Sequence, residues 1–122
     1  MTDRVSVPKQ RILVVEDEVL LALTMAQDLE DGGFDVVGPV GSVEMALQLI
    51  ASNGCDAAVL DINLTRETVE PVACALKQLG VPFMTVTGYS RTQRPVVFAG
   101  SPTLSKPADA REVIAALRSL LK

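Results

Sequence analysis

The apolar residues of this sequence fall into two alternating kinds of run. Short runs rich in β-branched residues, of which residues 12–15 (ILVV) are the first, are typical of strands covered on both faces of a sheet. Longer stretches carry apolar residues at the three- and four-residue spacing of a helix. This alternation predicts repeated βα units, and therefore an α/β fold with a doubly wound, five-stranded parallel sheet.

Five segments are predicted to form the strands. Four of them are strongly apolar: residues 12–15, 34–40 (FDVVGPV), 57–60 (AAVL) and 83–86 (FMTV). The fifth, residues 102–105 (PTLS), is weaker and ends just before Lys106.

Helices are predicted after the first, second, third and last strands. The expected inner face of the first helix consists of Val19, Ala22, Leu23, Ala26 and Leu29. Ser42 is the expected N-cap of the second helix, and Gly80 ends the third. The last helix begins with Asp109 and Glu112 in a capping-box arrangement. The helix that would be fourth in chain order should be short or degenerate, because residues 90–102 contain Pro95.

Length and composition limit the classes of protein to which this chain can belong. A chain of 122 residues, 48% hydrophobic, suits one domain, and we expect a loose tail over residues 1–10 and a folded domain over residues 11–122. No apolar run approaches the roughly 18 residues that span a bilayer, and no secretory signal is evident, so we expect a cytoplasmic protein without a membrane partner. The net charge of -4 argues against nucleic-acid binding. The absence of histidine excludes most zinc sites and serine-histidine triads.

Residues that could bind ligands or take part in chemistry lie where the predicted strands end. They are Glu16, Asp17 and Glu18 after the first strand, Asp61 after the third, Thr87 and Gly88 after the fourth, and Lys106 and Pro107 after the fifth. Ligands of open parallel sheets bind at the carboxyl ends of the strands, so we expect these residues to share one shallow pocket. Repulsion among the acids would disfavour such a pocket unless a cation joined them. Oxygen ligands without nitrogen or sulfur suit a hard ion, and the pattern therefore predicts Mg2+.

Each of these features also has a purely structural explanation. Acids at the start of a helix interact favourably with its dipole, and an aspartate after a buried strand is commonly a turn or cap residue. Taken alone, residues 87–88 and 105–107 are each explained as ordinary turn or loop residues. Their joint placement at four strand ends favours a site.

In these motifs the chain resembles the receiver domain of two-component response regulators, over residues 11–121. The motifs VVEDE, VLDINL, TVTGY and KP occur in the order and at the spacing of that family. The resemblance implies a flavodoxin-like fold and phosphorylation of Asp61 by a histidine kinase with Mg2+. It implies metal ligands at Glu16, Asp17, Asp61 and the backbone carbonyl of Asn63. It also implies phosphoryl contacts from Thr87, Gly88 and Lys106, and a cis peptide bond between Lys106 and Pro107.

The sequence departs from the usual receiver pattern at three positions. Thr65 and Val69 replace a proline and a glycine after the acceptor, so the loop there should differ. Thr103 replaces the usual switch aromatic. The segment PFMTVTGYS is instead similar to the subgroup called FAT GUY, with Phe83, Thr87, Gly88 and Tyr89 at the matching positions and Val86 in place of the usual alanine. Members of that subgroup are often single-domain partners of HWE-type or related histidine kinases.

The resemblance implies a monomeric, stand-alone phosphoacceptor module that signals to a downstream protein or a phosphotransfer protein. It would accept a phosphoryl group and lose it slowly, without acting as an enzyme on a separate substrate. One alternative is an aspartate-nucleophile phosphohydrolase, but such enzymes place a second aspartate two residues after the nucleophile, where this chain has Asn63. Another alternative is a pseudo-receiver that binds partners independently of phosphorylation.

Two further regions are expected to contact partners. Leu20, Leu21 and Met25 are apolar although the inner face of the first helix is already assigned, so we expect them to dock the kinase. The alternative is that they pack under a neighbouring helix or loop. Because Thr103 has no ring to rotate, we expect phosphorylation to reposition Tyr89 and to order residues 90–100.

Overall fold

The computed structural model of the protein describes residues 8–88 and 96–122. Five parallel strands form one sheet in the order β2-β1-β3-β4-β5. The strands are β1 (Arg11–Val15), β2 (Asp35–Val40), β3 (Ala57–Asp61), β4 (Phe83–Thr87) and β5 (Thr103–Ser105). The α-helices are α1 (Val19–Asp31), α2 (Val43–Ser52), α3 (Glu70–Leu79) and α4 (Ala110–Leu120). The predicted α/β class, strand number and parallel arrangement are confirmed.

Two separate apolar cores cover the two faces of this sheet. Successive strand residues point to opposite faces, so Leu13 and Val15 pack with α2 and α3, whereas Ile12 and Val14 pack with α1 and α4. Strands β1 and β3 lie in the middle of the sheet and are buried on both faces, which is why their sequences are apolar almost throughout.

The predicted helix starts at Ser42 and Asp109 are confirmed. The hydroxyl of Ser42 accepts a hydrogen bond from the backbone N–H of Met45 at 3.2 Å. Asp109 accepts from the N–H of Arg111, and the side chain of Glu112 accepts from the N–H of Asp109, as in a capping box. These caps satisfy amide groups that a helix leaves without partners at its first turn.

The rotation of α1 differs from the prediction. Ala22 and Leu29 are buried as expected, but Val19 and Leu23 are 67% and 56% exposed. Met25, expected on the outer side, is half-buried and packs against the core beside α4. Residues 19–23 are apolar on every side of the helix, so spacing alone does not select the buried face.

The connection between β4 and β5 contains one short 3-10 helix, Val96–Phe98, among its described residues. Phe98 is fully buried and joins the core formed with α2 and α3. This 3-10 helix lies within residues 90–102, where a short or degenerate helix is predicted, and residues 90–95 of that prediction lie outside the described residues. Residues 1–7, in the predicted tail, and residues 89–95 lie outside the part of the chain that the structure describes.

Phe98 should be the main anchor of this connection. Phe98→Ala is expected to lower the free energy of unfolding by about 3 to 5 kcal/mol, because it removes a large side chain from a packed core. The matched control is Leu79→Ala, which alters a side chain that is 62% exposed and should change stability by less than about 0.5 kcal/mol. Urea unfolding followed by circular dichroism measures both values, and equal losses in the two variants would contradict the anchoring role.

Candidate functional site

Three carboxylates meet at the carboxyl edge of the sheet. Glu16 follows β1 directly, and Asp61 is the last residue of β3, the neighbouring strand. Both side chains are buried, with 5% and 4% of their surface exposed, whereas Asp17 is half-exposed. One oxygen from each of the three carboxylates lies within 4.8 Å of the others. The structure thus brings together the acids that the strand-end pattern predicts to be close.

Lys106 supplies the positive charge of this cluster. Its Nζ atom lies 3.0 Å from Oδ2 of Asp61 and 3.2 Å from Oε1 of Glu16. The residue follows edge strand β5, so its side chain must reach past β4 to meet the central strands. Its backbone N–H donates to the carbonyl of Thr87 at 2.9 Å, and its peptide bond to Pro107 is cis.

The charges in the cluster do not balance. Burial, together with the nearby charge of Glu16, raises the pKa of Asp61 to about 6, although the hydrogen bond from Lys106 opposes the rise. Burial alone would lower the pKa of Lys106, but the hydrogen bond and charge of Asp61 outweigh it and raise that pKa. The single ammonium of Lys106 therefore pairs with two buried carboxylates, those of Glu16 and Asp61, and the cluster keeps an excess of negative charge.

A divalent cation fits this excess charge. The three clustered side chains offer only oxygen atoms, which are the ligands that Mg2+ prefers. Burial alone would raise the pKa of Asp17, but hydrogen bonds from the side chain and backbone of Thr65 outweigh it and lower that pKa, so Asp17 is ionised. Asn63 lies beside the cluster, since its N–H donates to Oδ1 of Asp61 at 3.2 Å.

The residues expected to contact a phosphoryl group border the same cluster. Thr87 is buried at the end of β4 and pairs with Ser105 of β5. Gly88 is exposed, and a Cβ atom added to it would lie 4.0 Å from Cδ of Lys106. Tyr89, the expected mobile residue, lies outside the described residues.

Thr103 occupies the position where receiver domains usually have an aromatic residue. It is half-buried, and its hydroxyl lies 2.8 Å from that of Thr85 on β4. Two small hydroxyl side chains therefore pair across β4 and β5 where the sequence departs from the pattern.

Sequence reasoning missed two neighbours of Asp17. The backbone N–H of Thr65 donates to Oδ2 of Asp17. On the other side, a Cβ atom at Gly41 would lie 3.2 Å from Cα of Asp17, so a side chain there would crowd the Asp17 backbone. The signal for Thr65 is the missing proline, because a proline has no N–H to donate.

The expected partner surface on α1 is partly corrected. Leu20 and Leu21 are 78% and 40% exposed, but Met25 is half-buried because it faces the core beside α4. The exposed apolar residues of this helix are Val19, Leu20, Leu21 and Leu23, named here the α1 patch. A cavity of about 280 Å³ between α1 and α4 continues from Leu21 to Glu16 and Lys106.

Within residues 8–88 and 96–122, no helix combines the length and the apolar character needed to span a membrane.

Curated relatives match this chain over part of their own length. Response regulator MprA of Mycobacterium sp. strain KMS is 33% identical over 117 residues, and the transcriptional regulatory protein PdtaR of Mycobacterium tuberculosis is 25% identical over 91 residues. These alignments cover 92% and 74% of this chain. The chain spans 50% of the MprA protein and 44% of PdtaR, about half of each.

Solved structures match over nearly the whole chain. The solution structure of SdrG from Sphingomonas melonis Fr1 has a TM-score of 0.79 at 38% identity, covering 97% of this chain and all of that one. A receiver protein from Sinorhizobium medicae has a TM-score of 0.81 at 26% identity, covering 95% of this chain and 97% of that one. The family model for the response regulator receiver domain matches residues 12–118. The chain therefore belongs to the response regulator receiver domain family.

Proposed function

We propose that this protein is a stand-alone phosphoacceptor of a two-component phosphorelay, phosphorylated on Asp61 by a histidine kinase with Mg2+ and carrying no output domain. The observation that carries the proposal is the position of Asp61, whose carboxylate lies 3.0 Å from the Lys106 ammonium and beside two further acids. The TVTGY motif, which resembles the FAT GUY subgroup, supports the stand-alone role.

The proposed chemistry is transfer of a phosphoryl group from a kinase histidine to Asp61. A carboxylate oxygen of Asp61 forms the new bond to phosphorus, while the bond from phosphorus to the histidine nitrogen breaks and its electron pair stays on the imidazole. Glu16, Asp17, Asp61 and the carbonyl of Asn63 would hold Mg2+. Bound Mg2+ would neutralise phosphoryl oxygens.

The remaining roles fall to side chains around the acceptor. Lys106 neutralises charge on the phosphoryl oxygens from the other side, and phosphoryl transfer depends mainly on such positioning and charge stabilisation. Thr87 would donate a hydrogen bond to a phosphoryl oxygen. The N–H of Gly88 is a second donor with no side chain in its way.

Two other functions are less well supported. A phosphohydrolase of the aspartate-nucleophile type would need a general acid two residues after Asp61, and an amide at Asn63 cannot donate a proton in that way. A pseudo-receiver would not need the complete set of Asp61, Asp17, Lys106 and Thr87. We propose a histidine kinase, with HWE-type kinases as the first candidates, and a downstream target or phosphotransfer protein as partners of this monomer.

Asp61 should be the single site of phosphorylation. Incubation with acetyl phosphate and Mg2+ is expected to add one phosphoryl group to the wild type and none to Asp61→Asn, because the amide is not a nucleophile. Asp56→Asn is the matched control. Unlike Asp61, Asp56 is exposed, and it accepts a hydrogen bond from the N–H of Arg11, away from the acid cluster. Intact mass spectrometry measures the outcome, and full labelling of Asp61→Asn would overturn the assignment.

The α1 patch is proposed as the kinase-docking surface. An exposed apolar patch beside a reactive site is typical of a partner surface. Changing Leu20 and Leu21 together to serine should slow transfer from the kinase by roughly tenfold, equivalent to about 1.4 kcal/mol of lost binding. The rate with acetyl phosphate should stay unchanged, because this small donor does not use the patch.

The matched control for this double variant changes Met45 and Leu79 to serine, since both are exposed apolar residues on other helices. Rapid-quench measurement with purified cognate kinase gives both rates. Equal slowing with kinase and with acetyl phosphate would show that the leucines support the fold and do not dock the kinase.

A further inference from the structure

The loop that follows β3 is tied to the acid cluster by hydrogen bonds from its own backbone. Within residues 62–69, the N–H of Val69 donates to the carbonyl of Ile62 at 3.2 Å, and Asn63 and Thr68 form an antiparallel bridge. The loop is therefore closed on itself at its base. Its tip contains Thr65, the residue that stands in place of the usual proline.

Two contacts hold the loop against neighbouring elements. Oε2 of Glu67 accepts from the N–H of Val43 at the start of α2, at 3.0 Å. The N–H of Thr65 donates to Oδ2 of Asp17, which lies just before α1 and 48 positions away in the chain. The second contact links the loop to a carboxylate of the acid cluster, and proline at position 65 could not form it.

We propose that Thr65 is a positioning residue for the cation site: its backbone N–H holds the carboxylate of Asp17 in the orientation that binds Mg2+. This inference rests on the proposed function, in which Asp17 is a metal ligand. A carboxylate has two oxygens and about four acceptor sites, so a bond to Thr65 leaves Asp17 able to bind a cation.

The exposure of the three acids explains why Asp17 needs such support. Glu16 and Asp61 are buried and hydrogen-bonded to Lys106, whereas the Asp17 side chain is half-exposed. An unrestrained side chain would lose rotamer freedom when it binds a metal. The Thr65 bond restricts the Asp17 side chain before the metal binds. Removing a group that hydrogen-bonds to a metal ligand typically weakens metal binding by about 10- to 100-fold.

The coupling must also act in reverse. If the Thr65 bond strengthens cation binding by a given factor, then Mg2+ strengthens the Thr65 bond by the same factor, because linkage is reciprocal. Cation binding would therefore order the loop of residues 62–69, beside the acceptor and against the start of α2.

The first experiment removes the N–H group without adding a side chain. Replacing the amide nitrogen of residue 65 by an ester oxygen should weaken Mg2+ binding at least tenfold, measured by isothermal titration calorimetry, and Thr65→Pro should do the same. Thr65→Ser is the matched control, because it keeps both the N–H and a hydroxyl, and its affinity should stay within twofold of the wild type. Equal affinity of the ester protein and the wild type would overturn the inference.

The second experiment needs only the wild-type protein and so does not depend on the folding of a variant. Hydrogen exchange of the Thr65 amide, followed by NMR, should slow on addition of Mg2+ by the factor found in the first experiment. Faster exchange would mean that Mg2+ weakens the Thr65 bond, and unchanged exchange would mean that Mg2+ does not affect it. Either result would overturn the inference.

Mg2+ titrations of the wild type and of Asp17→Asn separate failure of the cation site from failure of the Thr65 role. If neither the wild type nor any variant binds Mg2+, the proposed cation site is wrong and the role of Thr65 falls with it. If the wild type binds Mg2+ and Asp17→Asn does not, the cation site stands, and the Thr65 experiments then decide the positioning role alone.

Discussion

Two buried carboxylates that share one ammonium are the constraint on which the rest of this site depends. Asp61 ends the central strand β3, Glu16 directly follows the neighbouring strand β1, and Lys106 reaches both from the end of edge strand β5. Loss of one partner from a buried ion pair typically costs about 3–5 kcal/mol, so the cluster ties the edge strand to the centre of the sheet. Burial, together with the nearby charge of Glu16, raises the pKa of Asp61. The excess negative charge makes the site receptive to a cation.

Around this cluster, the chain uses backbone and hydroxyl groups at positions where receiver domains usually have rings. The hydroxyls of Thr85 and Thr103 pair at 2.8 Å across β4 and β5, and the N–H of Thr65 binds Asp17. Neither Thr103 nor Thr65 supplies the stiffness of the aromatic or proline residue that it replaces. Hydrogen bonds therefore fix β4 against β5, and the loop after β3 against Asp17, at positions where an aromatic or proline ring is usual.

Much of the fold and of the acid cluster is predictable from the sequence, for local reasons. Strand identity follows from apolar runs, the caps at Ser42 and Asp109 follow from side chains next to the amides they bind, and strand ends converge by topology. The rotation of α1 is not predictable in this way, because residues 19–23 are apolar on every side. The bond from Thr65 to Asp17 joins positions 48 residues apart through a backbone amide, so the missing proline at position 65 shows that a donor is available but not which acceptor it binds.

The most direct test of this account is the titration of the Asp61 carboxyl group, followed by NMR of protein labelled with 13C at aspartate carboxyls, with Asp61→Asn to assign the signal. Without Mg2+, we expect a pKa of about 6, raised from the ordinary value of 3.8 by burial and by Glu16. Saturating Mg2+ should lower that pKa, because a cation bound to the carboxylate competes with the proton. A pKa near 3.8 without Mg2+, or one that Mg2+ does not move, would contradict the central claim.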